Sequence, residues 1–517
     1  MNHPPRGLIG WLPFLWQRVL FPHAAPPVEP IRWRSVFILL SLGVLLLTPA
    51  MGHYLLEPDE GRYAQIAREM VTSGQWIVPH LQGKPYLDKP PLFYWLTALS
   101  FSLFGIGEIS ARVVPAVATL GTILLIYFLG RRTLGERSAF WGSLLLALCP
   151  GFLGMSRLII LDGLLCFWVT LSVCAALEAI RKERFSPAWW YVSAMAAGFG
   201  VLTKGPVPFL LLVPPLFAYC YLNGLSLPRK HALGFLGVAL AMNLPWYVAI
   251  GLAQPVFLRY FFWEHNFLRF VQPFDHLQPV WYFLPVIIGG MLPFVFLAIP
   301  FVRNLLVSDS QEEGQRPITL GYYLLVGLWT VLFFSMSGSK LPTYVLPAFP
   351  FLCLVLGHYV AHSRWSRHWL IKSTLVSTTV VLLALSSIGL PWYAQYRSPV
   401  GQEEIRQVLE QERLTPMIAF PRSCDSAAFY TQRADIVSMR SKYNRELLES
   451  LRQRDRTIVI LTHRHSLGML KEQLPADLKI VAEYHACKPK SEQGLLEKLI
   501  GDGPWGLSDV AIVERVK

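Results

Sequence analysis

Two short charged runs stand out in a chain that otherwise avoids charge. The first reads Glu57-Pro-Asp-Glu-Gly-Arg-Tyr-Ala-Gln-Ile-Ala-Arg-Glu-Met70, the second Gly83-Lys-Pro-Tyr-Leu-Asp-Lys-Pro-Pro-Leu-Phe-Tyr-Trp95. In the first, Pro58-Asp59-Glu60 marks a helix start, with Asp59 as the expected cap and Ile66 and Met70 at helical apolar spacing. Arg62 and Tyr63 then share a side with Asp59. In the second, Pro90 and Pro91 force an extended entry into the next helix and hold Asp88 beside Lys89. Tyr86, Phe93, Tyr94 and Trp95 surround that pair. Fixed cations next to carboxylates and aromatic rings suit phosphate recognition, with a carboxylate to take a proton or face a developing positive centre. The plainer reading is that Asp59 only caps its helix and pairs with Arg62, and that 83–95 is a polar turn before an amphipathic helix.

More charges abut the ends of apolar stretches. Asp162 follows Ser156-Arg157, Lys204 sits in Leu-Thr-Lys-Gly-Pro, Glu264, His265 and Arg269 lie in Phe261–Phe270, and Lys340 and Tyr344 lie in Ser339-Lys-Leu-Pro-Thr-Tyr344. Spaced by four, His265 and Arg269 face the same way on a helix. Each has an ordinary explanation: a dipole-favoured Asp162, a snorkelling Lys204, a solvated stripe for His265 and Arg269, a helix C-terminus for Lys340. Yet a charge at membrane depth costs roughly 2.5–3.5 kcal/mol, so convergence of many on one side argues for a site.

The elements that must carry these residues follow from composition. The chain has 517 residues, 53% of them hydrophobic and only 15% charged, with a mean hydropathy of +0.41. A soluble chain has about 25% charged residues. An aromatic content of 13% excludes disorder, and seven cysteines are too few for a disulfide scaffold. The net charge of +13 comes from basic residues in short loops between apolar runs. That pattern encodes membrane topology, not a nucleic-acid surface.

Apolar stretches of about 20 residues read as helical spans. They fall near 33–51, 111–130, 137–153, 162–180, 187–203, 206–223, 232–251, 280–302, 318–336, 341–358 and 369–393, a helical bundle of about 11 to 13 spans. Residues 90–107 are the ambiguous stretch. Laid along the membrane instead of across it, they leave Arg131, Arg132 and Arg137, Arg181, Lys182 and Arg184, Arg229 and Lys230, Arg303 and Arg316, and Arg364 and Arg367 on one side, as retention of basic loops in the cytoplasm requires.

The expected organisation is a cytoplasmic tail over 1–32, with an aromatic, basic interfacial helix at Leu8–Phe21 and Arg6 and Arg18. A transmembrane domain over 33–396 carries outer loops 52–110 and 252–279. A small soluble α/β domain over 397–517 lies outside the cytoplasm, with strands near 417–420, 457–461, 479–483 and 510–513 and helices near 403–413 and 443–454. Five cysteines fall in spans as small apolar filler; Cys424 and Cys487 fall in the soluble domain, where a disulfide is an option.

A phosphorylated lipid matches the charge pattern: cations take the phosphate, spans take the tail, and aromatics and carboxylates hold a sugar. In glycosyl transfer from a polyprenyl phosphate the leaving phosphate needs its growing charge stabilised, and a carboxylate serves the acceptor or the oxocarbenium-like centre. Two other readings are a transporter whose charges form a solute pathway, which would need polar residues through the midplane where the spans show few, and a glycolipid-binding protein without catalysis.

The two charged runs, with Leu202-Thr-Lys-Gly-Pro206, Phe261–Phe270 and Ser339-Lys-Leu-Pro-Thr-Tyr-Val-Leu-Pro347, resemble the bacterial 4-amino-4-deoxy-L-arabinose lipid A transferase family. That family is related to the protein O-mannosyltransferases and has the GT-C fold. The resemblance covers roughly 50–360. It implies an undecaprenyl-phosphate-linked sugar donor, a lipid A, envelope glycan or protein acceptor, and reaction on the periplasmic face of a bacterial inner membrane. By motif, Asp59 matches the family's key carboxylate and Arg62 and Lys89 its phosphate-contacting cations. Asp88 matches a carboxylate near a metal position, so a divalent metal is an option although the sequence requires no cofactor. Asp162, Lys204 and Tyr344 match cavity positions, with Tyr63, Tyr86, Glu60, His265, Arg269 and Lys340 as donor-binding or supporting residues. The sequence departs from the family at Gly61, where Thr is usual, and at Asp88, where Glu is usual.

Overall fold

Charged residues bracket the long apolar helices in the sense the helix dipole favours. Glu108 opens Glu108–Leu134 and Arg131 and Arg132 close it; Asp162 lies in the first turn of Leu161–Ile180; Lys204 ends Pro187–Lys204. In the computed structural model, residues 28–181, 185–272, 275–306, 317–439, 445–463, 466–485 and 509–516 are described. The expected tail helix Leu8–Phe21 with Arg6 and Arg18, the loop residues Lys182, Arg184 and Arg316, and Cys487 lie outside them.

Among the described residues, six helices are long and apolar enough to cross a bilayer: Glu108–Leu134, Leu161–Ile180, Arg229–Ala253, Ile318–Met336, Pro342–His362 and Trp369–Arg397. Two of the expected spans are instead bent pairs. Glu136–Ala147 and Pro150–Ser156 meet at 64°, and Val280–Gly290 and Phe294–Leu305 at 102°. Pro150 and Pro293 stand at the two breaks, where a missing N–H and the ring interrupt the helix. Trp33–Leu47, Leu92–Phe104 and Val207–Leu222 are shorter apolar helices. With 13 residues, Leu92–Phe104 is about 20 Å long, short of the ~30 Å hydrocarbon core.

The chain forms two compact units. The first comprises 1–48, 87–93 and 114–383, and its core is a continuous apolar cluster that includes Leu165, Val169, Phe283, Tyr322, Tyr323, Phe349 and Phe351. Its buried Glu178 pairs with both Arg132 and Arg181, so a buried carboxylate holds two of the basic loop residues.

The second unit comprises 49–86, 94–113 and 384–517. It holds a two-stranded ribbon, β1 (His80–Leu81) and β2 (Lys84–Pro85), and a five-stranded sheet. The sheet consists of β3 (Met417–Phe420), β4 (Val437–Ser438), β5 (Arg456–Leu461), β6 (Leu478–Tyr484) and β7 (Asp509–Arg515) in the order β4-β3-β5-β7-β6. β3 runs parallel to β4 and β5, and β7 antiparallel to β5 and β6. Side chains alternate between two apolar layers. Met417, Ala419, Ile458, Ile460, Val510 and Ile512 pack with Ile405 and Leu409 on one face. Ile418, Phe420, Val459, Leu461, Ala511 and Val513 pack with Leu447, Leu451, Leu467 and Leu470 on the other. Strands covered on both faces read as nearly continuous apolar runs, as these do.

The first-loop helix Asp59–Ser73 belongs to this second unit and packs against Asp425–Tyr430. Gln65 Nε2 donates to the Arg433 carbonyl at 2.6 Å, the Leu55 N–H donates to Tyr430 Oη at 2.9 Å, and Phe101 meets Phe429 at 6.0 Å between ring centroids.

Candidate active site

In the first unit, charged residues from five separate stretches of sequence interlock. Gly205, at φ +75, stops the helix after Lys204, so the lysine is its last residue. Lys204 Nζ donates to Asp162 Oδ1 at 2.5 Å and lies 4.4 Å over the Tyr344 ring. The Phe261–Phe270 segment is not the α-helix its spacing suggests: Arg259–Leu268 is wound as a π-helix. The wider turn places residues five apart on one side, bringing Tyr260 and His265 within 5.9 Å ring to ring.

Tyr260 Oη donates to Asp88 Oδ1 at 2.7 Å, and His265 Nε2 lies 2.7 Å from Lys89 Nζ. Arg269 Nη1 reaches the same His265 nitrogen at 3.5 Å, the facing expected from their spacing, while its fork grips Asp275 through Nε (3.1 Å) and Nη2 (3.0 Å). Ser339 Oγ donates to Asp275 Oδ1 at 3.2 Å.

Lys89 is charge-poor in its partners. Lys204 faces Asp162 and Arg269 faces Asp275, but among the described residues the hydrogen-bond partner of the Lys89 ammonium is an imidazole. Burial, then the positive charges of Lys204 and Arg269, bring its pKa down to about 7. Burial and the adjacent Lys89 bring His265 down to about 3, so its Nε2 lone pair is free to accept. An anion entering here would meet an ammonium whose hydrogen-bond partner, among the described residues, is a neutral imidazole. Lys340 plays a different part. Its ammonium donates to the carbonyls of Gln278 (3.0 Å) and Ser337, and its N–H donates to His276 O at 3.0 Å, tying two loops together.

In the second unit, Asp59 is the first residue of its helix and Arg62 Nη1 donates to its Oδ1 at 3.1 Å, the pairing of the plainer reading. Asp59 nevertheless remains 42% exposed while Arg62 is 19% exposed, so the carboxylate has room for a further partner. Tyr63 and Tyr86 flank Tyr94, at centroid distances of 5.9 and 6.5 Å. Glu60 is wholly engaged: buried, it pairs with Arg112 at 2.7 Å and accepts the Leu56 N–H at 3.0 Å. Burial pushes its pKa up, but Arg112 outweighs this and holds it below the usual range.

Four residues in these clusters were not anticipated. Tyr260 and Asp275 flank the recognised Phe261–Phe270 motif, and only the π-winding reveals Tyr260. Arg112 and Asp425 lie in stretches without any motif; a lone arginine near a helix start and an Asp after Cys424 carry no local signal. Among the described residues no group of three or more His, Cys, Asp and Glu gathers in a way that would hold a metal ion.

The family profile described as dolichyl-phosphate-mannose-protein mannosyltransferase matches residues 88–249. An undecaprenyl phosphate-alpha-4-amino-4-deoxy-L-arabinose arabinosyl transferase of Pseudomonas aeruginosa (strain LESB58) is 34% identical over 386 residues, 72% of this chain and 68% of that protein. A protein of the same name from Edwardsiella ictaluri is 32% identical over 396 residues, 73% and 69% of the two chains. The crystal structure of ArnT from Cupriavidus metallidurans bound to undecaprenyl phosphate superposes with a TM-score of 0.72 at 20% identity, covering 93% of this chain and 98% of that one. Fold and relatives together define a polytopic membrane glycosyltransferase of the GT-C kind. Within that class the chain belongs to the undecaprenyl phosphate-alpha-4-amino-4-deoxy-L-arabinose arabinosyl transferase family.

Proposed function

We propose that the chain moves 4-amino-4-deoxy-L-arabinose from undecaprenyl phosphate to a phosphate of lipid A on the periplasmic face of the inner membrane. Its eleven predicted spans then start from a cytoplasmic N-terminus, and both outer loops and the α/β fold of 397–517 face the periplasm. The observation that carries the reading is Lys89: an ammonium beside a neutral imidazole, with Arg269 and Lys204 nearby. Such a site accepts a lipid phosphate and stabilises the charge it gains on leaving.

The acceptor oxygen attacks the sugar C1 as the bond from C1 to the donor phosphate oxygen breaks, and that oxygen leaves with the electron pair. The sequence motifs assign Arg62 and Lys89 to the donor phosphate, with Arg269 in support, and Tyr63, Tyr86 and Tyr344 to donor binding. By the same motifs Asp59 is the carboxylate that serves the oxocarbenium-like centre. With a phosphate acceptor the attacking oxygen is already ionised, so Asp59 acts through its charge; with a hydroxyl acceptor it would remove the proton. Asp88 is held by Tyr260, and no step of the proposal runs through a metal ion.

The test is mass spectrometry of lipid A from cells with and without the gene, looking for one added aminopentose. Asp59→Asn should abolish that mass while leaving protein level and thermal midpoint unchanged. Full modification by the variant would remove Asp59 from the mechanism. A sugar mass appearing on another glycan or on protein would redirect the acceptor.

A further inference from the structure

The residue next to Arg62 in sequence shows how closely the α/β fold approaches the first-loop helix. A Cβ on Gly61 would lie 2.6 Å from the Ser426 backbone nitrogen and 3.1 Å from its Cα. Only a residue without a side chain admits this contact, since the obstacle is backbone. Thr, expected here from the family resemblance, has no room. The contact is fastened by Glu57 Oε1, which accepts the Ser426 N–H at 2.6 Å. It delivers Asp425, whose side chain is 1% exposed, to Arg62: Oδ2 lies 3.8 Å from Arg62 Nε. Asp59 holds the other end of the same guanidinium at Nη1.

We propose that Asp425 is a positioning residue for Arg62. Carried by the C-terminal α/β fold and brought close by Gly61, it orients from behind the guanidinium that Asp59 meets from the front. The α/β fold is thereby a working part of the transferase. A planar guanidinium held at both ends is fixed in rotamer, so less freedom is lost when it meets a phosphate. Burial and the neighbouring Asp425 push Glu57 up to about 8, a further sign of how closely the two acids sit beside Arg62. The inference rests on the reading of Arg62 as a phosphate-holding cation.

The test measures undecaprenyl phosphate binding by the purified full-length protein in nanodiscs, so that no acceptor is needed. Arg62→Ala and Asp425→Asn should each weaken binding about tenfold, and the double variant no further than Arg62→Ala alone, the non-additivity of residues acting through one another. Asp425→Glu, which keeps the carboxyl group, should restore most of the affinity even if Asp425→Asn folds poorly. Losses that add in full, or an Asp425→Asn that binds as wild type while Arg62→Ala does not, would overturn the positioning role and leave the function standing. Full binding by Arg62→Ala would overturn the reading of Arg62 and this inference with it.

Discussion

With Lys89 holding the donor phosphate as proposed, its depressed pKa predicts a calculable pH dependence of donor binding. At a pKa of about 7, roughly nine-tenths of the side chain is ammonium at pH 6 and roughly one-tenth at pH 8. If only the ammonium form holds a phosphate, affinity falls about tenfold between those values, or about 1.4 kcal/mol. The sign follows from the direction of the shift: raising pH through 7 removes the charge the ligand needs. Binding in turn raises the lysine's pKa, so phosphate uptake at pH 8 should draw a proton from the buffer. The ligand must keep a constant charge. A phosphomonoester gains charge near pH 6 and would mask the effect, so a polyprenyl phosphodiester is the proper probe. Titration calorimetry from pH 6 to 8 in two buffers of different ionisation enthalpy reads both quantities. In Lys89→Arg the guanidinium stays charged and the profile should be flat. A flat wild-type profile, or an equal slope in Lys89→Arg, would refute the argument.

Two further outcomes follow from the second unit. Glu57 has a folded-state pKa raised from 4.5 to about 8, so the stability it contributes is fully present below 4.5 and is lost as pH rises through about 8. The thermal midpoint of the wild type should drop between pH 6 and 9 more than that of Glu57→Gln, which keeps an oxygen for the Ser426 N–H without the titration. Gly61→Ala should destabilise by about 1–3 kcal/mol despite alanine's better helix propensity, because the new methyl meets backbone; denaturant unfolding followed by the aromatic fluorescence of the chain checks it.

What could be read from sequence divides by the range of the interactions involved. Apolar stretches of span length met a helix or a bent helix pair at each expected position, and short apolar runs placed β3, β5, β6 and β7 within a residue or two, because apolar composition is a local signal. Charge spacing related Asp59 to Arg62 and His265 to Arg269, again over one helical turn. The two-residue strand β4 and the short helix Asp425–Tyr430 carry too little pattern to be seen. Nor does any sequence spacing reveal that 49–86 packs with 384–517. The two bends at Pro150 and Pro293 were hidden because proline is tolerated inside membrane helices, so its presence does not predict a break. Glu60 looked like part of an acidic cluster; only tertiary structure gives it Arg112 as a buried partner.

The hydrogen bond from Gln65 to the Arg433 carbonyl joins residues 368 positions apart, and this ordering in space has a cost in time. On a ribosome the helix bearing Asp59 emerges early, and the helix Asp425–Tyr430 that braces it is made near the end. At about 5–20 residues per second the gap is on the order of half a minute. During that wait Asp59, Arg62 and the apolar side of their helix lack their scaffold, and a ribosome that stalls before β3 leaves behind an inserted protein with an unbraced loop.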